Sequence, residues 1–370
     1  MTEKPKTPRD ILTELLIELL SFMAGVVGTL LVTGLLLASW YQADTTPIRD
    51  SNGRELSLYE ASSAVVDAFG DTTIRKGELY TRLQIKDHRD SVSVDRKADK
   101  PVFGSGVSVP NSWYSINILL EQRSLSGHAV RYTHSLATSL LVACCLCMII
   151  LLIVDGYRNK QYRSLWNLVL MVYASVLTTA WLGSVLPWDD RSRQAFGIGT
   201  HILDSYVPIL GPLLSGYVWG REQFHEPGLM RVFILHSMVF VPILGWSLMA
   251  VKKRITRYPL RMPALLAGIV IPIVCSFFVN RAKNGGLGIT MRGADIHPEW
   301  YFGVPYRLLA ALPEDFAVFL LAIGVVGMIV FGNITPQSAF QKILRMLCTV
   351  VIAVFIVTQF LVFIAAVILE

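Results

Sequence analysis

Seven apolar runs, each close to the length of one bilayer crossing, decide what this chain can fold into. A hydrocarbon core about 30 Å thick takes about 20 apolar residues of helix. The runs lie at roughly 19–40, 134–155, 165–187, 229–251, 262–280, 315–331 and 343–369, the sixth being short but uncharged. Charge content agrees: 16% of the 370 residues are charged and 53% are hydrophobic, whereas soluble domains carry about 25% charged residues. The sequence therefore predicts an all-α polytopic membrane protein with about seven transmembrane helices, and it excludes a soluble enzyme.

The formal charge of +6 does not point to nucleic acid, because the basic residues sit in short clusters between apolar runs. Lys4, Lys6 and Arg9 precede the first run. Arg158, Lys160 and Arg163 separate the second from the third, and Lys252, Lys253, Arg254, Arg257 and Arg261 separate the fourth from the fifth. Seven crossings put all three clusters on one side, which the positive-inside rule makes cytoplasmic. The N-terminus is expected there, and no cleavable signal peptide is expected. The polar stretch 42–126 and the connections 188–228 and 281–314 then share the opposite, positive side. Four parts follow: an N-terminal tail with the first helix (1–41), a positive-side extramembrane insertion (42–126), helices two to four (127–261) and the last three helices (262–370). The insertion mixes Asp and Arg and discloses neither its fold nor a ligand. No internal repeat of fixed period is visible.

Cys144, Cys145, Cys147, Cys275 and Cys348 all fall inside apolar runs and form no C-x-x-C-H or paired C-x-x-C pattern. They read as small polarizable packing residues. Two histidines ask for more. An imidazole within an apolar helix is costly, so it carries a functional hypothesis by default. His134 opens the second run and His236 lies early in the fourth. Threading puts both near the positive side at similar depth. Two imidazoles facing each other across a bundle can supply both axial ligands of a haem iron. A hydrogen-bonded structural role is the other reading, and position alone leaves both open.

The segment Asp295-Ile296-His297-Pro298-Glu299-Trp300-Tyr301-Phe302 resembles the PEWY motif of cytochrome b in the quinol-oxidising Rieske–cytochrome b complexes. Other matches stand in the family's order: Thr33-Gly34-Leu35-Leu36-Leu37-Ala38, Arg131-x-x-His134, Gly183-Ser184-Val185-Leu186-Pro187-Trp188, and Arg231 five residues before His236. They span about 110–370 plus the first helix, with no counterpart for 45–110. Seven helices resemble cytochrome b6 plus subunit IV fused in one chain. The resemblance implies a four-helix haem bundle followed by three helices. It makes His134 and His236 the ligands of the haem iron. Gly34 and Gly183 would let a porphyrin lie against bare backbone, and Arg131 would pair with a propionate. Glu299, with Tyr301 in the same motif, would line a positive-side quinol pocket and take a proton. Phe196-Gly197-Ile198-Gly199-Thr200-His201-Ile202 resembles the short helix roofing that pocket. His201 is unusual there and reads as an exposed polar residue, with a quinone or partner contact as the other reading. His88, His128, His225 and His297 read as loop residues with local roles. Ser184 and Asp189 depart from the Tyr and Gly usual in the family, which predicts an altered pocket.

The family normally stacks two haems, with paired histidines fourteen residues apart on helices two and four. Fourteen residues rise about 21 Å and return to the same helix face. Here those places hold Met148 and Ala250, and the matching glycine positions hold Leu20 and Val169. One haem b is therefore expected, with the cytoplasmic-side pocket filled. The expected activity is quinol oxidation, as the quinol–cytochrome c (or equivalent acceptor) oxidoreductase subunit of a multisubunit complex. The implied partners are a Rieske protein carrying a 2Fe-2S cluster, a c-type or other cytochrome, membrane lipid with its quinone, and a second copy of the chain. A prokaryotic plasma membrane is the expected location. Without the second haem a full Q cycle is not expected. The alternative is a non-catalytic, diverged cytochrome b that scaffolds a larger complex. A transporter or channel is disfavoured, because ionisable groups do not run through the mid-membrane as a relay.

Overall fold

The computed structural model describes residues 8–49, 109–120, 126–154, 162–207, 209–216, 226–256, 259–278, 298–334 and 338–369, with residues 55 and 124 and four short strands between them. The first helix, α1 (Pro8–Trp40), is 33 residues long and outreaches a bilayer. Two small antiparallel ladders follow it: β1 (Leu58–Glu60) pairs with β4 (Leu79–Thr81), and β2 (Val65–Val66) with β3 (Thr72–Ile74). A short helix α2 (Asn111–Tyr114) runs on as a π-helical stretch, Ser115–Leu120. Then come α3 (Gly127–Val154), α4 (Tyr162–Val185), the surface helix α5 (Asp190–Tyr206) and the single turn α6 (Leu210–Leu214). The fourth apolar run divides into α7 (Glu226–Ile234), a π-helical stretch (Leu235–Phe240) and α8 (Val241–Ile255). The last part holds α9 (Met262–Ser276), a 3-10 turn (Trp300–Phe302), α10 (Gly303–Ala311), α11 (Glu314–Asn333) and α12 (Ala339–Leu369).

Helix ends follow local chemistry. Asp189 caps α5 by accepting from the Ser192 backbone N–H, which satisfies one orphan donor of the first turn. Lys252, Lys253 and Arg254 occupy the last turn of α8, and Glu314 and Asp315 the first turn of α11; each sign complements the helix dipole. Pro242 lies at the start of α8. It has no N–H, and its ring crowds the carbonyl four residues back. The wider π turn just before it relieves that conflict.

Six helices are long and apolar enough to cross a membrane, and α9 is a shorter apolar helix of 15 residues. The fifth run thus reaches Ser276 as α-helix, short of the expected 280, and turns at Phe277. α3 begins at Gly127, earlier than the apolar run, so His128 belongs to the helix rather than to a loop. The outer faces of α9, α11 and α12 expose Val274, Phe319, Ile329, Val350 and Val354, as suits lipid-facing surface. The chain is a multi-pass membrane protein.

In the bundle α1 packs on α3, α3 on α4, α4 on α8 and α8 back on α1. α9 covers the α1–α3 edge, α11 lies on α4, and α12 lies on α11. α1 and α9 touch backbone to backbone: a Cβ at Gly25 would stand 2.1 Å from Leu265 O, and one at Gly268 2.2 Å from Phe22 O. Such small-residue contacts let membrane helices approach closely.

One end of the bundle is marked by Arg261, whose backbone N–H donates to Ser21 Oγ and whose Nη1 donates to Glu18 at 2.6 Å. The basic α8–α9 connection therefore lies beside the start of α1, as the charge pattern requires. At the other end the insertion returns to its own origin. Ile48 N–H donates to Val109 O and Asn111 N–H to Thr46 O.

The bundle is filled unevenly. Leu16, Leu20 and Met23 of α1, Cys145, Met148 and Leu152 of α3, Val169 and Val172 of α4, and Leu248 and Val251 of α8 form one buried core. These residues belong to the half nearer the basic end. The other half, from Val27, Leu141, Val176 and Leu244 outward, surrounds a cavity.

Candidate functional site

That cavity measures about 420 Å³ and is lined mainly by apolar side chains of α1, α3, α4 and the α7–α8 segment. Its size suits a single organic group held by a few placed polar atoms. His134 enters it from α3 and His236 from the π-helical stretch, with ring centroids 6.4 Å apart and planes inclined by 61°.

Each imidazole is held by its Nδ1. The Thr33 hydroxyl donates to Thr29 O at 2.7 Å, so it receives the Nδ1–H of His134 at 2.9 Å. His236 Nδ1 lies 2.8 Å from Thr179 O. A carbonyl only accepts, so this nitrogen also carries the proton. Both rings are thereby fixed as tautomers whose Nε2 lone pairs remain available, the form in which histidine binds a metal. With metal–imidazole bonds of about 2 Å, a metal held between two such nitrogens separates the ring centres by roughly 6 Å.

The two expected glycines face these rings. A Cβ on Gly34 would come 3.4 Å from His134 Cε1, and one on Gly183 would come 2.9 Å from His236 Cε1. Arg131 also lines the cavity, and its Nη1 donates to Asn117 Oδ1 at 2.8 Å. Asn117 in turn donates to Trp113 O. The end of the insertion thus positions a charge at the cavity. Neither Asn117 nor Thr33 was singled out as a site residue by sequence reasoning. A hydroxyl one residue before Gly34 in an apolar helix was the available signal for Thr33.

Glu299 and Tyr301 line the same cavity, so the motif and the histidines form one site. The Tyr301 backbone carbonyl accepts from the buried Gln359 of α12 at 3.3 Å. Burial, with the Glu299 charge nearby, holds the Tyr301 phenol well above its ordinary range, so it keeps its O–H. Ser184, Asp189, Arg191 and Ser192 complete the rim. Asp189 stands where the family has glycine. Its Oδ1 accepts from the Ser192 N–H and hydroxyl, both buried, and the Ser192 hydroxyl also lies 2.8 Å from Ser184 O. The turn into α5 is tight, with Trp188 at φ 54°.

His201 does not line the cavity. It is exposed on α5 with Nε2 2.8 Å from Glu314 Oε1. Tyr206 donates to Asp315 Oδ1 at 2.5 Å, which pushes its phenol up to about 12. Together they tie α5 to the start of α11. The His128 ring packs 4.2 Å from that of Tyr132. His88, His225 and His297 lie outside the described residues.

In the other half of the bundle Leu20, Met148 and Val169 are all buried in the single core described above, and Ala250 is half-buried on α8. Among the described residues no group of three or more His, Cys, Asp or Glu is placed to hold a metal ion.

The fold and site together define a membrane helix bundle that presents two imidazoles across an apolar cavity. Comparison with known proteins agrees. Residues 106–257 match the family described as Cytochrome b/b6/petB. Cytochrome b of Rickettsia conorii is 25% identical over 231 residues, covering 54% of this chain and 56% of that one. Cytochrome b of Brachionus plicatilis is 27% identical over 254 residues, covering 60% and 65%. The matches thus span rather more than half of these relatives' own length. A chain of a solved hyperthermophilic respiratory Complex III shares the fold with a TM-score of 0.51 at 14% identity, over 94% of this chain and 91% of that one. Over residues 106–257 the chain is thus similar to the cytochrome b family, at low identity, and it shares that family's fold.

Proposed function

We propose that this chain is a cytochrome b-like electron-transfer subunit of a quinol-oxidising Rieske–cytochrome b complex, with a single haem b held by His134 and His236. One observation carries the reading: two imidazoles meet across a cavity with both Nε2 lone pairs turned from their own hydrogen bonds. The donor set fits the group. Neutral imidazole is a haem-iron ligand, the ring spacing suits a metal between them, and Gly34 and Gly183 present backbone without a side chain. When bound, the haem supplies a one-electron acceptor within the membrane.

The chain's own residues do the rest. Glu299 takes a proton as quinol is oxidised at the cavity edge, a general-base role that side-chain carboxylates fill. Tyr301, kept as a phenol, offers an O–H donor beside it. Arg131 balances a propionate. The other electron goes to a Rieske 2Fe-2S partner at the face bearing residues 42–126, with a c-type or other cytochrome beyond it. That face is then the positive side of a prokaryotic plasma membrane, the N-terminus lies in the cytoplasm, and the chain works as a dimer within its complex.

Leu20, Met148 and Val169 occupy the places that a second haem would need, so one haem per chain is the reading. The electron received in the membrane then leaves on the positive side, or passes through a complete paralogue.

The test is a reduced-minus-oxidised spectrum and a haem-to-protein ratio on the full chain purified from membranes. The expected ratio is one, lost in His134→Ala and in His236→Ala; a ratio of two, or of zero, overturns the reading. Glu299→Gln is expected to keep the haem and to slow quinol oxidation by about 10²-fold or more, the range of a lost general base. Unchanged turnover in that variant favours the non-catalytic scaffold.

A further inference from the structure

We infer that Arg191 is a second anion-holding residue of the cavity, taking one carboxylate of the bound tetrapyrrole while Arg131 takes the other; this rests on the haem reading above. Arg191 lies in the first turn of α5, where the positive end of the helix dipole disfavours a cation. Its side chain nevertheless lines the cavity, and its Nε is buried with no hydrogen-bond partner among the described residues. A buried guanidinium donor left unmet is costly, and the cost is highest for a charged group.

Asp190 Oδ2 is also buried without a hydrogen-bond partner among the described residues, yet it makes no ion pair with Arg191. Asp189 Oδ1 accepts from the Ser192 N–H and hydroxyl, and Asp190 is paired with Arg193 at 4.0 Å. Among the described residues no ion pair joins Arg191 to Asp189, Asp190 or Glu299. Among the described residues no anion pairs with Arg191, so its Nε is open to a bound one. A quinol is neutral and cannot balance the charge. A haem b carries two carboxylates, and each matches a guanidinium fork in bidentate geometry.

The placement is consistent with that assignment. Arg131 sits one helical turn before His134, and Arg191 lies beyond the end of α4, past Gly183. Both approach the cavity from the outer end of the bundle, on the same side of the imidazole pair.

The experiment is a redox titration of the haem in the full-length holoprotein, with haem retention measured after prolonged detergent washing. Arg191→Gln is expected to shift the midpoint to lower potential, because loss of a nearby positive charge favours the more positive, oxidised state, and to release haem faster. Arg191→Lys is expected to keep the potential near wild type while still losing haem faster, since charge is retained and the fork is not. Arg193→Gln, two residues along the helix and exposed, serves as the control and is expected to match wild type. Arg191→Gln with wild-type potential and retention overturns the inference, as does a change confined to the KM for quinol. A wild-type chain that carries no haem overturns the parent reading and this inference with it.

Discussion

Thr33 and Thr179 decide what the two imidazoles can do. One hydroxyl and one carbonyl hold the Nδ1 protons, and that leaves Nε2 of both rings as acceptors. The facing glycines then set how much steric freedom each ring keeps. At Gly183 an added Cβ would stand 2.9 Å from His236 Cε1, inside contact distance, whereas at Gly34 the gap to His134 Cε1 is 3.4 Å. Gly183→Ala is therefore expected to lower the haem-to-protein ratio markedly, and Gly34→Ala only slightly, both read by absorbance on purified protein. Equal losses would mean that the glycines do not act through these rings. His134, His236, Gly34, Gly183, Arg131 and Glu299, which all line the cavity, were legible in the sequence through motifs that resemble those of cytochrome b. The threonine contacts and Arg191 were not. Each depends on which residue of another helix lies opposite, and no spacing along one segment encodes that.

Among the elements, the π-helical stretch Leu235–Phe240 carries His236 and ends against Pro242, so a local backbone conflict is resolved where a functional ring projects. Apolar length located the membrane helices but not this irregularity, nor the early start of α3 at Gly127 or the end of α9 at Ser276. Polar residues at helix ends leave the apolar run shorter than the helix, which is why α1 extends back to Pro8. The α1–α9 contact offers a direct test. A Cβ at Gly268 would meet Phe22 O at 2.2 Å, and backbone cannot step aside as a flexible side chain can. Gly268→Ala is expected to destabilise the fold by about 1–3 kcal/mol, as overpacking does, seen as a lower thermal midpoint in detergent. Gly245 faces open space, so Gly245→Ala is expected to be neutral or slightly stabilising, as helix propensity favours alanine.

Taken whole, the molecule is a bundle closed by side chains in one half and open in the other. Leu20, Met148 and Val169 share a continuous core with Leu248 and Val251, while the matching outer positions border the cavity. Ligand replacement alone is therefore not expected to create a second site. The double variant Met148→His with Ala250→His is expected to keep a haem-to-chain ratio of one, because Leu20 and Val169 still fill the space. A ratio of two in that variant would show the inner half to be far more yielding than close packing allows. The α5–α11 ties, His201 with Glu314 and Tyr206 with Asp315, add a link between the cavity-side helices and the last three. Apolar periodicity gave no sign of it, since both pairs join exposed polar residues far apart in the chain.

The sequence by itself determined the class of fold, the order of its apolar helices and the clustering of its basic residues, and its motifs singled out the candidate ligands. Those properties depend on segment length, hydropathy and spacing, which are written along the chain. Only the tertiary structure decided that Glu299 and Tyr301 share a cavity with two histidines from distant helices. It alone also determined which ring nitrogens remain available and where an unmet guanidinium points. Such matters turn on distances between residues on different helices, far apart along the chain, and packing sets them.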